Sequence, residues 1–153
     1  MIIKIELLEN IDRLTKWRAE VIREVFAVDP SDELLRANRK YYERHIPDGS
    51  HVAVVATVED EEVGCGAICL SDELPSPDNP SGHCAYLMNI YVRQQYRSHG
   101  IGHAIVRNLV DRARKLGCDK IYLETTSRAR SLYKGIGFEE LPGILKYVDT
   151  QDK

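Results

Sequence analysis

Arg97-Ser98-His99-Gly100-Ile101-Gly102 separates a β-rich run, Cys84 to Val92, from a helix-patterned run. In the latter, Ile101, Ile105, Leu109, Ala113 and Leu116 recur along one side before Gly117 stops the pattern. Glycines at a helix start let a ligand approach the backbone, because no Cβ intrudes. First-turn N–H groups have no partners within the helix, and the helix dipole is positive at that end. Together these features make an anion site suited to a phosphate or pyrophosphate. Taken alone, the hexapeptide reads as readily as a tight turn that uses two glycines. No Gly-Lys-Ser/Thr follows it and its spacing is not GxGxxG, which argues against a Walker loop and a dinucleotide fold.

Upstream of this stretch, Ile2 to Leu8 reads as a strand. Asn10 caps a helix with Ile11, Leu14, Val21, Ile22 and Val25 at helical spacing. Ser31 caps a second, with Asp32 and Glu33 in its positive first turn; Leu34, Leu35, Tyr41, Tyr42 and Ile46 are its apolar positions, and Pro47 ends it. His51 to Val58 and Val63 to Leu70 read as a hairpin across Glu59-Asp60-Glu61-Glu62. Ser71 to Gly82, with Pro75, Pro77 and Pro80, is a loop. Downstream come a strand, Lys120 to Thr125, a short helix, Arg128 to Gly135, and a return to β from Phe138, broken at Pro142-Gly143. The order β-α-α-β-β-β-α-β-α-β predicts an α/β (α+β) fold, a mixed central sheet with helices on both faces. The strand-helix-strand unit from Cys84 to Thr125 requires parallel pairing.

Two segments frame the glycine loop: Tyr86-Leu87-Met88-Asn89-Ile90-Tyr91-Val92 before it, and Ala129-Arg130-Ser131-Leu132-Tyr133-Lys134-Gly135-Ile136-Gly137-Phe138 after the next strand. This arrangement resembles the GNAT superfamily of acyl-CoA-dependent N-acetyltransferases. That family's signature is Q/R-x-x-G-x-G/A at the start of the central helix, then LY-x-x-x-GF. The resemblance is specific over about Ala85 to Glu140 and extends through element order to the whole chain, 1–153, as one GNAT domain. It implies acetyl-CoA as cosubstrate and a primary amine as acceptor. It implies that the amides of Ser98, His99, Gly100, Ile101, Gly102 and His103 hold the CoA pyrophosphate, with Arg97 and the glycines shaping the loop. It also implies that the Asn89–Val92 strand splays from its parallel neighbour. Ile90, Tyr91 and Val92 then run beside the pantetheine arm, and the amide near Ile90 polarises the thioester carbonyl. Tyr133 is implied as the acid that protonates the leaving thiolate, a role open to a phenol of pKa near 10; the plainer role is a packing aromatic.

Some positions depart from the family pattern. Tyr86 stands where many members have an acidic residue, leaving the base open between Glu124 and water reaching Tyr86 or Asp72. Thr126 stands where many have Asn; it either hydrogen-bonds near the pantetheine or caps the helix. The imidazole of His99 either donates to a phosphate or faces solvent. Trp17 is a core residue or a wall of the acceptor site. A non-catalytic acyl-CoA-binding or sensing module on the same fold is the alternative, one that keeps the loop and does not need the phenol.

The 153 residues carry a net charge of −3, unevenly spread. Residues 1–92 hold 9 Lys and Arg against 17 Asp and Glu, a charge of −8; residues 93–153 hold 12 against 7, a charge of +5. Asp72, Glu73, Asp78, Glu33 and Glu43 are therefore expected to border the acceptor side and draw in a cationic amine, or else to form a solvated acidic surface. A sequence pI near 6.0 without a basic stripe argues against nucleic acid as a partner. Apolar runs are too short to span a bilayer, and Met1 to Glu6 lacks the features of a secretion signal, so a cytoplasmic location and no membrane partner are expected. Cys65, Cys69, Cys84 and Cys118 form no CxxC pair and the histidines are scattered, so neither a metal site nor a disulfide framework is expected. The family resemblance allows a homodimer.

Overall fold

The structure, a computed structural model, describes residues 1–149. The elements are β1 (Ile3–Leu7), α1 (Ile11–Val25), α2 (Asp32–His45), β2 (His51–Val58), β3 (Glu61–Asp72) and β4 (His83–Val92). There follow a 3₁₀ turn (Gln94–Tyr96), α3 (Ile101–Lys115), β5 (Lys120–Leu123) and α4 (Arg130–Ile136). The helix starts fall where local chemistry puts them. Asn10 Oδ1 accepts from the Arg13 amide and Ser31 Oγ from the Leu34 amide, each satisfying a first-turn donor.

The strands form one sheet in the order β1-β2-β3-β4-β5. Every neighbouring pair is antiparallel except β4–β5, which is parallel as the intervening α3 requires. Glu59 and Asp60, both at positive φ, make the two-residue turn of the β2–β3 hairpin. The sheet is covered on both sides. Leu14, Trp17 and Val21 of α1 and Tyr42 of α2 pack on Ala53, Val55, Cys65 and Ala67. On the opposite face, Ile101, Ile105, Val106 and Leu109 of α3 pack on Val54, Ala56, Ile68 and Leu87. This double cover explains why β2 is a near-continuous apolar run rather than an alternating one. At Gly66 an added Cβ would fall 2.7 Å from Ile105 Cγ2, so the missing side chain is what lets α3 seat against β3.

Three expectations are corrected. Residues 138–149 contain no strand; Leu141, Ile144, Leu145, Tyr147 and Val148 are exposed there, and residues 150–153 lie outside the described chain. Pro142 supplies no N–H for a ladder and Gly143 sits at φ +91°, so pairing beside the four-residue β5 does not form. On α2 only Tyr42 is buried, while Leu34 and Tyr41 are exposed. Leu116 of the α3 stripe is also exposed, being past the last turn. No described helix is long and apolar enough to cross a membrane, and the four cysteines are free thiols.

Candidate active site

The site begins where the parallel ladder stops. β4 and β5 pair from Cys84 with Lys120 to Leu87 with Leu123, and β4 then continues five residues to Val92 without β5 beside it. Just past the end of this ladder β4 carries a bulge. Cys65 of β3 faces Tyr91 and Ala67 faces Met88, so Asn89 and Ile90 together stand opposite Gly66. Asn89 carries the bend at φ +58°. Its Oδ1 accepts from Arg18 Nη1 at 2.8 Å, and its carbonyl accepts from Cys65 Sγ at 3.3 Å. Arg93, just past the strand, clamps α1 through two 3.0 Å bonds to Glu20 and lies over the Trp17 ring. Trp17 is itself core, its Nε1 donating to Glu62.

The loop after β4 is built to present amides. Ser98 sits at φ +67° and Gly100 at φ +82°, on either side of His99. Gly100 is the N-cap of α3, and no side chain caps that helix. The first intrahelical bond runs from the Ala104 amide to the Gly100 carbonyl, which leaves the amides of Ile101, Gly102 and His103 outside the helical ladder. A Cβ built at Gly100 meets nothing within 4 Å, so the space beside Gly100 is open. Uncapped amides, a positive helix end and an open approach fit a pyrophosphate. Arg97 turns inward, its Nε donating to the Val92 carbonyl at 2.9 Å, and so ties the loop to the end of β4. His99 Nδ1 lies 2.8 Å from the Arg97 carbonyl and 3.2 Å from that of Tyr96; both partners are acceptors, so this nitrogen carries the proton. That proton is used within the loop, leaving the His99 amide rather than this nitrogen for a ligand.

At Gly102 an added Cβ would stand 3.7 Å from Leu132 of α4 and 3.9 Å from Val92, so the loop, the end of β4 and α4 converge there. Tyr133, next to Leu132, is half-buried and packs edge-on against Phe138 with centroids 5.8 Å apart. Burial pushes its phenol up, and its hydroxyl has no hydrogen-bond partner among the described residues. Thr126 Oγ1 accepts from the Ala129 amide at 3.4 Å, so its hydroxyl serves the turn into α4. On the α1/α2 side of the sheet, the Tyr86 and Tyr122 rings lie 5.1 Å apart, and burial together with Glu124 raises the Tyr86 phenol.

Of the five acidic residues expected along the acceptor side, Asp72, Glu73 and Asp78 have local partners, and Glu33 and Glu43 are exposed on α2. Asp72 lies 2.7 Å from His83 Nδ1, Glu73 accepts from Lys120 at 2.8 Å, and Asp78 accepts from Ser76. Sequence reading also missed several features. The bulge at Asn89, the reach of Arg18 across 71 positions and the burial of His51 beside Tyr41 carry no local signal. Among the described residues no group of three or more His, Cys, Asp and Glu is placed to hold a metal ion. A cavity of about 320 Å³ lies at the far end of α3, lined by Leu8, His51, Ala53 and Leu116, away from the loop.

The chain is 32% identical to thialysine N-epsilon-acetyltransferase of Bos taurus over 95 residues, covering 48% of this chain and 56% of that protein. It is 28% identical to N-alpha-acetyltransferase 30 of Saccharomyces cerevisiae over 113 residues, covering 71% of this chain and 61% of that protein. It thus spans little more than half the length of these curated relatives. In fold it is similar to a predicted acetyltransferase of Clostridium acetobutylicum, whose crystal structure is with acetyl-CoA, at a TM-score of 0.86, 19% identity and 99% coverage of both chains. A GCN5-related N-acetyltransferase of Ralstonia eutropha JMP134 gives a TM-score of 0.78 at 19% identity, covering 96% of this chain and 99% of that one. The sequence profile of the acetyltransferase (GNAT) family matches residues 11–138, which take in β4, the amide loop and α4, and the chain belongs to that family.

Proposed function

We propose that this protein transfers an acetyl group from acetyl-CoA to a primary amine. The observation that carries the reading is the end of the β4–β5 ladder at Leu87, with β4 running on beside a bulge to an uncapped helix start. A parted pair of parallel strands offers a slot for an extended, amide-bearing arm, and the helix start offers donors for the phosphates at its end. The two curated relatives named above act, by their names, at an ε- and an α-amine, which supports nitrogen as the acceptor atom.

Bound acetyl-CoA supplies an activated thioester. The amides from Ser98 to His103 hold its pyrophosphate, and the backbone of Ile90, Tyr91 and Val92 lines its pantetheine arm. The Ile90 N–H donates to the thioester oxygen as that oxygen gains charge under attack by the neutral amine. As the tetrahedral intermediate collapses, the C–S bond breaks, the nitrogen gives its surplus proton to water, and Tyr133 hands its phenolic proton to the departing sulfur. A phenol raised by burial stays protonated at neutral pH and is available as the acid. Holding both partners in line supplies much of the acceleration.

The test is free-thiol release from acetyl-CoA across a panel of amines, beside a CoA titration. Amine-dependent thiol release with matching N-acetyl product supports the reading. CoA binding without transfer to any amine would leave an acyl-CoA-binding module, and no CoA binding would remove both.

A further inference from the structure

α1 carries three arginines, and two of them are ion-paired: Arg13 with Glu62 and Arg23 with Asp29. Arg18 has no carboxylate within ion-pair distance among the described residues, although it is half-buried. A cation drawn partly out of water without a counter-charge loses hydration that neutral contacts repay only in part. Of its five N–H donors, one is used within the described chain, the 2.8 Å bond to Asn89 Oδ1. Its guanidinium also lies 5.7 Å from the centre of the exposed Phe26 ring, at the end of α1. Its charge is felt at Tyr42, His51, Cys65 and Cys69, which places it over the α1/α2 side of the sheet, facing α2 and β3.

The position matters because Asn89 is the bulge residue. It adjoins Ile90, at the point where β4 has left β5. An unpaired guanidinium is thus held one residue from the amide assigned to the thioester oxygen, on the face away from α3. Asn89, Phe26, Tyr42 and Cys65 beside it are uncharged, and the charged groups that also act on Cys65 are paired elsewhere, Glu20 with Arg93 and Glu62 with Arg13. One free positive charge matches one negative charge, and the guanidinium fork fits a carboxylate. A phosphate dianion would call for a second free cation, and Arg93, which also acts on Cys65, is already spent on Glu20.

We propose that Arg18 is a specificity-determining residue of the acceptor site, and that the acceptor is an amine that also bears a carboxylate. This rests on the acetyltransferase reading above. The acceptor's carboxylate takes the unused N–H groups of Arg18, while its amine is presented beside Ile90. Arg18 thereby orients the nucleophile without taking part in bond making.

The probes are bisubstrate conjugates in which the acetyl carbon of CoA-S-acetyl is joined to glycine, β-alanine or γ-aminobutyrate, each paired with its methyl ester. Binding is measured by calorimetry, so the readout needs no turnover. A charge-assisted pair of this kind is expected to make the best acid conjugate bind about 10- to 100-fold tighter than its ester. In Arg18→Gln the acid-to-ester ratio falls to about one, while free CoA binds as in the wild type. In Asn89→Ala, which keeps the charge and removes its anchor, a preference for the acid persists. Equal binding of acid and ester at every spacing in the wild type overturns the proposal while the CoA site stands. Equal weakening of acid, ester and free CoA by Arg18→Gln also overturns it, because Arg18 would then only be shaping the bulge. Failure of free CoA to bind the wild type would defeat the acetyltransferase reading itself, and this inference with it.

Discussion

Gly100→Val perturbs the point on which the amide loop turns. Gly100 sits at φ +82° and ψ 7°, a left-handed conformation that L-residues adopt at a cost and β-branched ones hardly at all. A Cβ there meets no atom within 4 Å, so the penalty is conformational rather than a clash. Strain of about 2–3 kcal/mol is expected, which in a chain of this size lowers Tm by roughly 4–12 °C. The effect on binding is larger. The valine side chain stands in the open space beside Gly100, at the approach to the amides of Ile101 to His103, or, if the backbone relaxes, disperses those amides. Losing two charge-assisted hydrogen bonds of about 1.5–3 kcal/mol each weakens CoA binding by at least about 100-fold. Gly100→Asn separates the causes, because Asn tolerates the left-handed region yet still carries a Cβ. It should melt near the wild type and still bind CoA poorly. The assays are thermal unfolding by circular dichroism and calorimetric CoA titration well below each variant's midpoint. A folded Gly100→Val protein that binds CoA within about threefold of the wild type would refute the phosphate-loop argument.

Tyr133→Phe removes a hydroxyl with no hydrogen bond in the described chain, so stability should change by less than about 0.5 kcal/mol; kcat should drop about 100-fold with acetyl-CoA affinity kept, and an unchanged kcat would leave Tyr133 as packing. Burial lowers the His51 imidazole from its ordinary 6.5 to about 4. The unfolded chain therefore takes up the proton first, and stability is lost as pH falls from about 6.5 through about 4, by about 3 kcal/mol in all; urea unfolding at pH 7 and pH 4 should show a drop about that much smaller in His51→Phe than in the wild type, and parallel drops would contradict the burial argument. Gly66→Ala places a methyl 2.7 Å from Ile105 Cγ2 and should cost about 1–3 kcal/mol by pushing α3 off β3; strictly additive losses in the Gly66→Ala/Ile105→Ala double variant would show that the two positions do not touch.

What the sequence determined about this protein is what short stretches of chain decide for themselves. Asn10 and Ser31 start helices because a side-chain oxygen reaches the amide three residues on, and that geometry needs no partner from elsewhere. The α3 stripe fixed a buried face for that helix, and the crossover from β4 through α3 to β5 forced one parallel pair into an otherwise antiparallel sheet. The glycine loop was legible because its chemistry is that of a helix end, carried by the backbone within a few residues. Tertiary structure decided the rest, where effects depend on register and distance across the sheet. The bulge at Asn89 exists only against the facing spacing of Cys65 and Ala67, and no pattern within β4 announces it. Whether a charge is spent or available was settled the same way. Glu73 is occupied by Lys120 from 47 positions away, whereas Arg18, met by Asn89 across 71 positions, meets no counter-charge among the described residues. The apolar residues after Phe138 were β-prone in composition but gained no ladder. A strand is stabilised by its neighbour's hydrogen bonds, and only the folded sheet determines whether a neighbour is there.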